Sequence, residues 1–270
     1  MSIKVPPGAC DTHMHFYDRN VPPAPGTPMP GHFDVPMYRA LRKRLGIERV
    51  VVVQPNAYRD DNRVTMDAVK VLGSAARAVA VVGETTPDAE LERLTRAGVV
   101  AQRFFNLPNG SVPFSRMDAI MARVHPFGWH ANLQLDGRDL PKYEAQIRRL
   151  PGKFVIDHNG KYMEPVAPEH ESFLVLKKLL DTGRCWVKLS APYETSKTGA
   201  PKYEDVSKLA RALVKHAPER MLWASNWPHP SVPPGTVDDL DLLNLLADWA
   251  PKEADRKKLL VDNPAELYGF

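Results

Sequence analysis

The stretch ACDTHMHF (residues 9–16) reads as a buried strand that runs directly into polar chemistry. A doubly wound open sheet would place a glycine-rich phosphate loop after its first strand. Here that place holds DTHMHFYD (11–18), and neither a GxGxxG nor a P-loop motif follows any later strand. Seven more short runs rich in Val, Ile, Phe and Trp recur along the chain. They are RVVVVQPN (49–56), AVAVVGET (78–85), VVAQRFFN (99–106), WHANLQLD (129–136), KFVIDHNG (153–160), CWVKLSA (185–191) and RMLWASN (220–226). Near-continuous apolar runs of this kind belong to parallel strands buried on both faces.

Amphipathic stretches separate them. VPMYRALRKRLG (35–46) ends on Gly46, a fitting C-cap, and PDAELERLTRAG (87–98) opens with Thr86 as cap, Pro87 as first helical residue and acids in the first turn. Others fall at 62–76, 114–128, 140–152, 169–183, 203–219 and 237–250, and DRKKLLVDNPAELYGF (255–270) supplies an extra closing helix. Strands and helices alternating eight times predict a (β/α)8 TIM barrel, one domain over 1–270. The proline-rich NVPPAPGTPMPGHFDVP (20–36) reads as an ordered loop over the top of the barrel.

Of the 270 residues 43% are hydrophobic and 25% charged, enough for one large core. The net charge of +4 comes without a Lys/Arg block or basic–aromatic interleaving, which argues against nucleic acid. No apolar run approaches a membrane span and the N-terminus has no signal core, so a cytoplasmic location is expected. Cys10 and Cys185 read as buried free thiols of a reducing compartment.

In such a barrel the site lies at the C-terminal ends of the strands. Strand 1 offers His13 and His15, two residues apart and so on one face. Strand 2 offers Gln54 and Asn56, and strand 4 Arg103. Strand 5 offers Gln134 and strand 6 His158 and Lys161, while Asp157 is expected to point away. Strand 7 offers Lys188 and, just beyond, Tyr193; strand 8 offers Asn226, with His229 at the rim. His158 suits proton transfer because its pKa lies near working pH. Arg103, Lys161 and Lys188 converging on one mouth point to a small anionic substrate bearing carboxylate. Tyr193 can donate to a carbonyl or oxyanion. No serine or cysteine stands in a nucleophile motif.

CDTHMHF, VIDHNGK (155–161) and NWPHP (226–230), in that order, resemble the amidohydrolase superfamily. The resemblance is to its lactonase-like branch, which includes the 2-pyrone-4,6-dicarboxylate lactonases. FNLPNGSV (105–112), KLSAPYETSK (188–197) and HAPERMLWASNWPHPS (216–231) are most similar to the galactarolactone isomerases within it. The resemblance implies a barrel acting on an aldaric lactone without a metal cofactor. A zinc-like ion held by His13, His15 and His158 stays open as the alternative. The chain departs from the metal-dependent pattern at Arg103, at Gln134 and at Asn226, where an aspartate would bind metal and activate water. An amide cannot activate water, whereas lactone isomerisation needs none, because a substrate hydroxyl attacks its own carbonyl. The expected function is therefore δ- to γ-lactone isomerisation by intramolecular acyl transfer. His13, His15, His158, Asn226 and Tyr193 would be catalytic. Arg103, Lys161, Lys188, Gln54, Asn56, Gln134 and His229 would bind substrate. Hydrolysis of a carboxylated lactone is the alternative, and a non-catalytic sugar-acid binder the third reading.

Overall fold

In the computed structural model, which describes residues 3–270, eight strands form one parallel sheet in sequential order. They are β1 (Cys10–Met14), β2 (Arg49–Val53), β3 (Ala76–Ala80), β4 (Val99–Asn106), β5 (His130–Leu135), β6 (Phe154–Ile156), β7 (Cys185–Leu189) and β8 (Met221–Trp223). The helices between them are α1 (Val35–Leu45), α2 (Arg63–Leu72), α3 (Asp88–Arg96), α4 (Met117–Val124), α5 (Leu140–Arg149), α6 (Glu171–Leu180) and α7 (Glu204–His216), with α8 (Asp239–Asn244) after β8. This is the (β/α)8 barrel read from the alternation.

The run RVVVV shows why both faces of a strand are apolar. Val50 and Val52 join the layer between sheet and helices, and Val51 and Val53 join a core inside the barrel with Cys10, Val79, Val155 and Leu222. Leu267 and Tyr268 of the terminal helix Asn263–Tyr268 pack against that inner core and close the barrel from below. Each fully buried side chain of this size contributes about 1.5–3 kcal/mol.

β1 and β8 are joined outside the ladder. Thr12 Oγ1 donates to the Trp223 carbonyl (2.8 Å) and the Asn226 N–H to the His13 carbonyl (2.8 Å). The buried Asp11 carboxylate accepts from the Ser225 N–H (3.0 Å), the Ser225 hydroxyl (2.5 Å) and the Tyr38 hydroxyl (3.0 Å). Burial raises the Asp11 pKa to about 6, against the pull of these bonds.

Several boundaries differ from the sequence reading. β6 stops at Ile156 and β8 at Trp223, so Asp157–Gly160 and Ala224–Asn226 leave the ladder and turn into the mouth. β3 begins at Ala76 and stops at Ala80. Pro87 is the N-cap of α3, not its first helical residue, and Thr86 spends its hydroxyl on the Gly83 N–H. Gly46 caps α1 with φ 75°, as expected. The expected closing helix is interrupted by a π-helical stretch, Lys258–Asp262. The proline-rich loop is pinned by a Tyr17–Phe33 backbone bridge and by Thr27 on the Ala57 carbonyl (2.9 Å).

Candidate active site

A cavity of about 320 Å³ opens at the C-terminal ends of the strands. Seven of the expected residues line it: His15, Asn56, Arg103, Gln134, His158, Lys161 and Asn226. Pro28 and Pro30 of the proline-rich loop wall one side.

Beneath the floor lies a fixed chain of hydrogen bonds. His15 Nδ1 sits 2.7 Å from the Val53 carbonyl, which can only accept, so Nδ1 carries the proton. His15 Nε2 is then an acceptor. His13 Nε2, 3.3 Å away, must be the donor, which leaves His13 Nδ1 with a lone pair. Lys188 Nζ meets that lone pair at 3.1 Å and also donates to Asn132 Oδ1 at 2.7 Å. Lys188 Nζ is 3.1 Å from Asp157 Oδ1, an ion pair without hydrogen-bond alignment, and Asn132 Nδ2 donates to Asp157 Oδ2 at 2.8 Å. Burial raises the Asp157 pKa, but Lys188 outweighs it and holds the carboxyl well below its ordinary value. Burial, then Lys188, keeps His13 neutral; burial, then Arg103, lowers His15 to about 3.

Two sequence expectations change here. Lys188 does not reach the cavity: it is fully buried, hydrogen-bonded to His13 and Asn132 and ion-paired with Asp157. Asp157 does not point away. Asp157 is still extended (φ -77°, ψ 152°) and keeps the inward face of Val155 two residues earlier; a left-handed turn begins only at His158 (φ 53°), Asn159 (57°) and Lys161 (46°). That turn brings His158 inward beside Asp157 and swings Lys161 to the wall. His13, Asp157 and His158 thereby bring one ligand atom each within 4.8 Å of one another, a set that could hold a metal ion. Lys188 engages two members of this set, at His13 Nδ1 and Asp157 Oδ1.

His158 keeps Nδ1 on Ser190 Oγ at 2.8 Å, and burial lowers its pKa to about 4. Arg103 is buried, with Nη1 on the Gln54 carbonyl (2.6 Å) and Nη2 on Gln134 Oε1 (2.7 Å). Its Nε has no partner, and among the described residues no carboxylate pairs with it. Asn226 (φ 59°) donates Nδ2 to Tyr193 Oη at 2.9 Å and approaches Glu194 Oε1 at 3.4 Å. The carboxylate fixes the amide orientation, because a flipped Asn226 would set oxygen against oxygen.

Three expected residues stand behind the wall. Gln54 clamps the 59–61 loop through its amide and takes the Thr65 hydroxyl at 2.6 Å. Tyr193 backs Asn226, and His229 packs edge-on to Tyr193 (5.4 Å) with Nε2 on Asp239 at 3.0 Å.

Sequence reasoning passed over Asn132, Tyr17 and Glu194. Asn132 was legible, since it shares a strand face with Gln134. Tyr17 follows the first strand and lines the cavity. Glu194 follows a left-handed Ala191 (φ 47°) in an irregular turn, where alternation gives no direction. It pairs with Lys161 and accepts the Ser231 hydroxyl at 2.7 Å. Burial pushes its pKa up, but Lys161 and His158 prevail and hold it at about 2, so it is ionised.

The amidohydrolase family profile matches residues 10–270. The chain is 38% identical over 271 residues to D-galactarolactone isomerase of Agrobacterium fabrum, covering 97% of this chain and 91% of that one. It is 37% identical over 281 residues to a 2-pyrone-4,6-dicarboxylate hydrolase of Comamonas testosteroni, covering 98% and 92%. The apo crystal structure of an Agrobacterium tumefaciens protein superposes with a TM-score of 0.92 at 38% identity, covering 98% of this chain and 97% of that one.

Proposed function

Since the chain belongs to the amidohydrolase family, we propose that it is a lactone isomerase interconverting the δ- and γ-lactones of an aldaric acid. The observation that carries this reading is the buried Arg103 guanidinium, facing the cavity without a carboxylate of its own, beside a neutral His158 and the amide of Asn226. Arg103 has unspent N–H groups for a substrate carboxylate. In the tautomer that donates Nδ1–H to Ser190 Oγ, the other nitrogen of His158 offers a lone pair to the cavity.

The substrate hydroxyl gives its proton to that nitrogen while its oxygen bonds the lactone carbonyl carbon. Lys161, which also donates to Glu194, stabilises the oxyanion. The ring C–O bond then breaks, and the departing oxygen takes the proton back from His158. No water enters and no atom is lost. His13 and His15, with their nitrogens engaged below, orient the floor, and Tyr193 and His229 orient Asn226. In this reading the Lys188 ammonium supplies the positive charge on His13 and Asp157, so the site works without a metal. One barrel domain over 1–270 and a cytoplasmic setting, supported by the free buried Cys10 and Cys185, belong to the same proposal.

The test is NMR of galactarolactone incubated with the protein. A second lactone as the main product is expected, and His158→Asn is expected to slow it by about 10²–10⁴-fold. A ring-opened diacid as the main enzyme-dependent product would overturn isomerisation in favour of hydrolysis. Stoichiometric zinc lost together with activity on chelation would overturn the metal-free reading.

A further inference from the structure

The charged groups on the cavity wall are few. Among the described residues lining it they are Arg103, Lys161 and Glu194, with His15 and His158 neutral. The Lys161 charge is balanced by Glu194: the pair is in direct contact, with both side chains over nine-tenths buried. Arg103 is the cation left without a carboxylate. The wall therefore carries one uncompensated positive charge. Lys188 adds nothing to it, because its charge is set against Asp157 below the floor.

We propose that Glu194 is a specificity-determining residue that restricts the cavity to lactones with a single free carboxylate and rejects dianionic ones, a selection that rests on the lactone reading above. One carboxylate is taken by Arg103. A second would meet the Glu194 carboxylate in a buried setting, where repulsion between like charges is weakly screened. Glu194 is held in place from three directions: Lys161 on Oε2, and on Oε1 the Ser231 hydroxyl (2.7 Å) and the Asn226 amide (3.4 Å). It cannot swing aside without stranding a buried ammonium. The same carboxylate accepts hydrogen bonds from neutral hydroxyls, which suits a polyhydroxylated monoanion. An aldaric monolactone has one free carboxylate because the lactone consumes the other; a pyrone dicarboxylate keeps two.

Binding of two unreactive probes on one ring tests this by calorimetry: pyridine-2,4-dicarboxylate and its 4-carboxamide, a monoanion. The protein should bind the carboxamide about tenfold or more tightly than the dicarboxylate. Glu194→Gln should cut that ratio by about tenfold or more, mainly by gaining affinity for the dicarboxylate, and Glu194→Asp should keep the preference. An equal affinity in the unaltered protein, or an unchanged ratio in folded Glu194→Gln, would overturn the proposal. If Glu194→Gln does not fold, the unaltered protein still decides: discrimination by charge shrinks as salt rises from about 0.02 to 1 M, and discrimination by shape does not. Neither probe is a lactone and no turnover is read. A preserved ratio without isomerisation would sink the lactone reading alone, and isomerisation with no preference would sink this one alone.

Discussion

Lys188 shows how far residue type misleads without direction. A lysine near the end of a catalytic strand looks like an anion binder; here the side chain runs down into the barrel and its ammonium touches His13, Asn132 and Asp157. A buried pair is worth little against an apolar replacement, but breaking one half is costly because the other charge is stranded. Lys188→Met should lose about 3–5 kcal/mol of unfolding free energy in urea titrations. Lys188→Met/Asp157→Asn should recover much of the loss. Equal stability for the single and double variants would mean that Asp157 is not held by Lys188. The residues on regular strands were legible by alternation: His13 and His15 do share the inner face. Those beside left-handed residues were not: Asp157 and His158 face inward together because His158 has φ 53°, and Glu194 follows Ala191 with φ 47°, values that no local spacing encodes.

At the scale of elements, the seam between β1 and β8 is fastened by side chains. Asp11 receives two bonds from Ser225 and one from Tyr38 of α1, so one carboxylate ties three elements. Asp11→Ala would leave several buried donors unmet and should cost on the order of 3 kcal/mol. Asp11→Asn keeps an acceptor for the Ser225 N–H and should cost less. Thermal unfolding of the two variants checks the order, and an Asp11→Ala protein as stable as Asp11→Asn would count against the seam. Asp11 follows the inner-core Cys10 and faces Tyr38 of α1, and the β1 register shifts between Asp11 and Met14 before His13 turns inward, so spacing alone does not place it. The strands were placed within a few residues, and the errors fall at their C-terminal ends: β3 stops at Ala80, and β6 and β8 stop early as well. The polar tails of β6 and β8, Asp157–Gly160 and Ala224–Asn226, bring His158 and Asn226 to the site because they have left the ladder.

The whole barrel was the most legible level, because apolar runs alternating with amphipathic ones leave few architectures. Its interior histidines make stability depend on pH. Burial lowers His15 and His130 to about 3 and His158 to about 4, and lowers His13 as well. Between these values and the ordinary 6.5 the unfolded chain binds more protons than the folded one, so stability is lost as pH falls through this window. Asp11, raised from 3.8 to about 6, acts in the opposite sense, but it is one group against four. Calorimetry should show Tm falling steadily from pH 6.5 to 4; a flat Tm there would mean that the imidazoles are not buried as neutral groups. The Lys188 ammonium adds a different dependence. A cation that is part of the polypeptide is delivered by translation, one per chain. It cannot be diluted away, stripped by a chelator or exchanged for a competing ion. On the metal-free reading proposed above, the charge beneath this site is set by inheritance and not by the mineral supply of the cell.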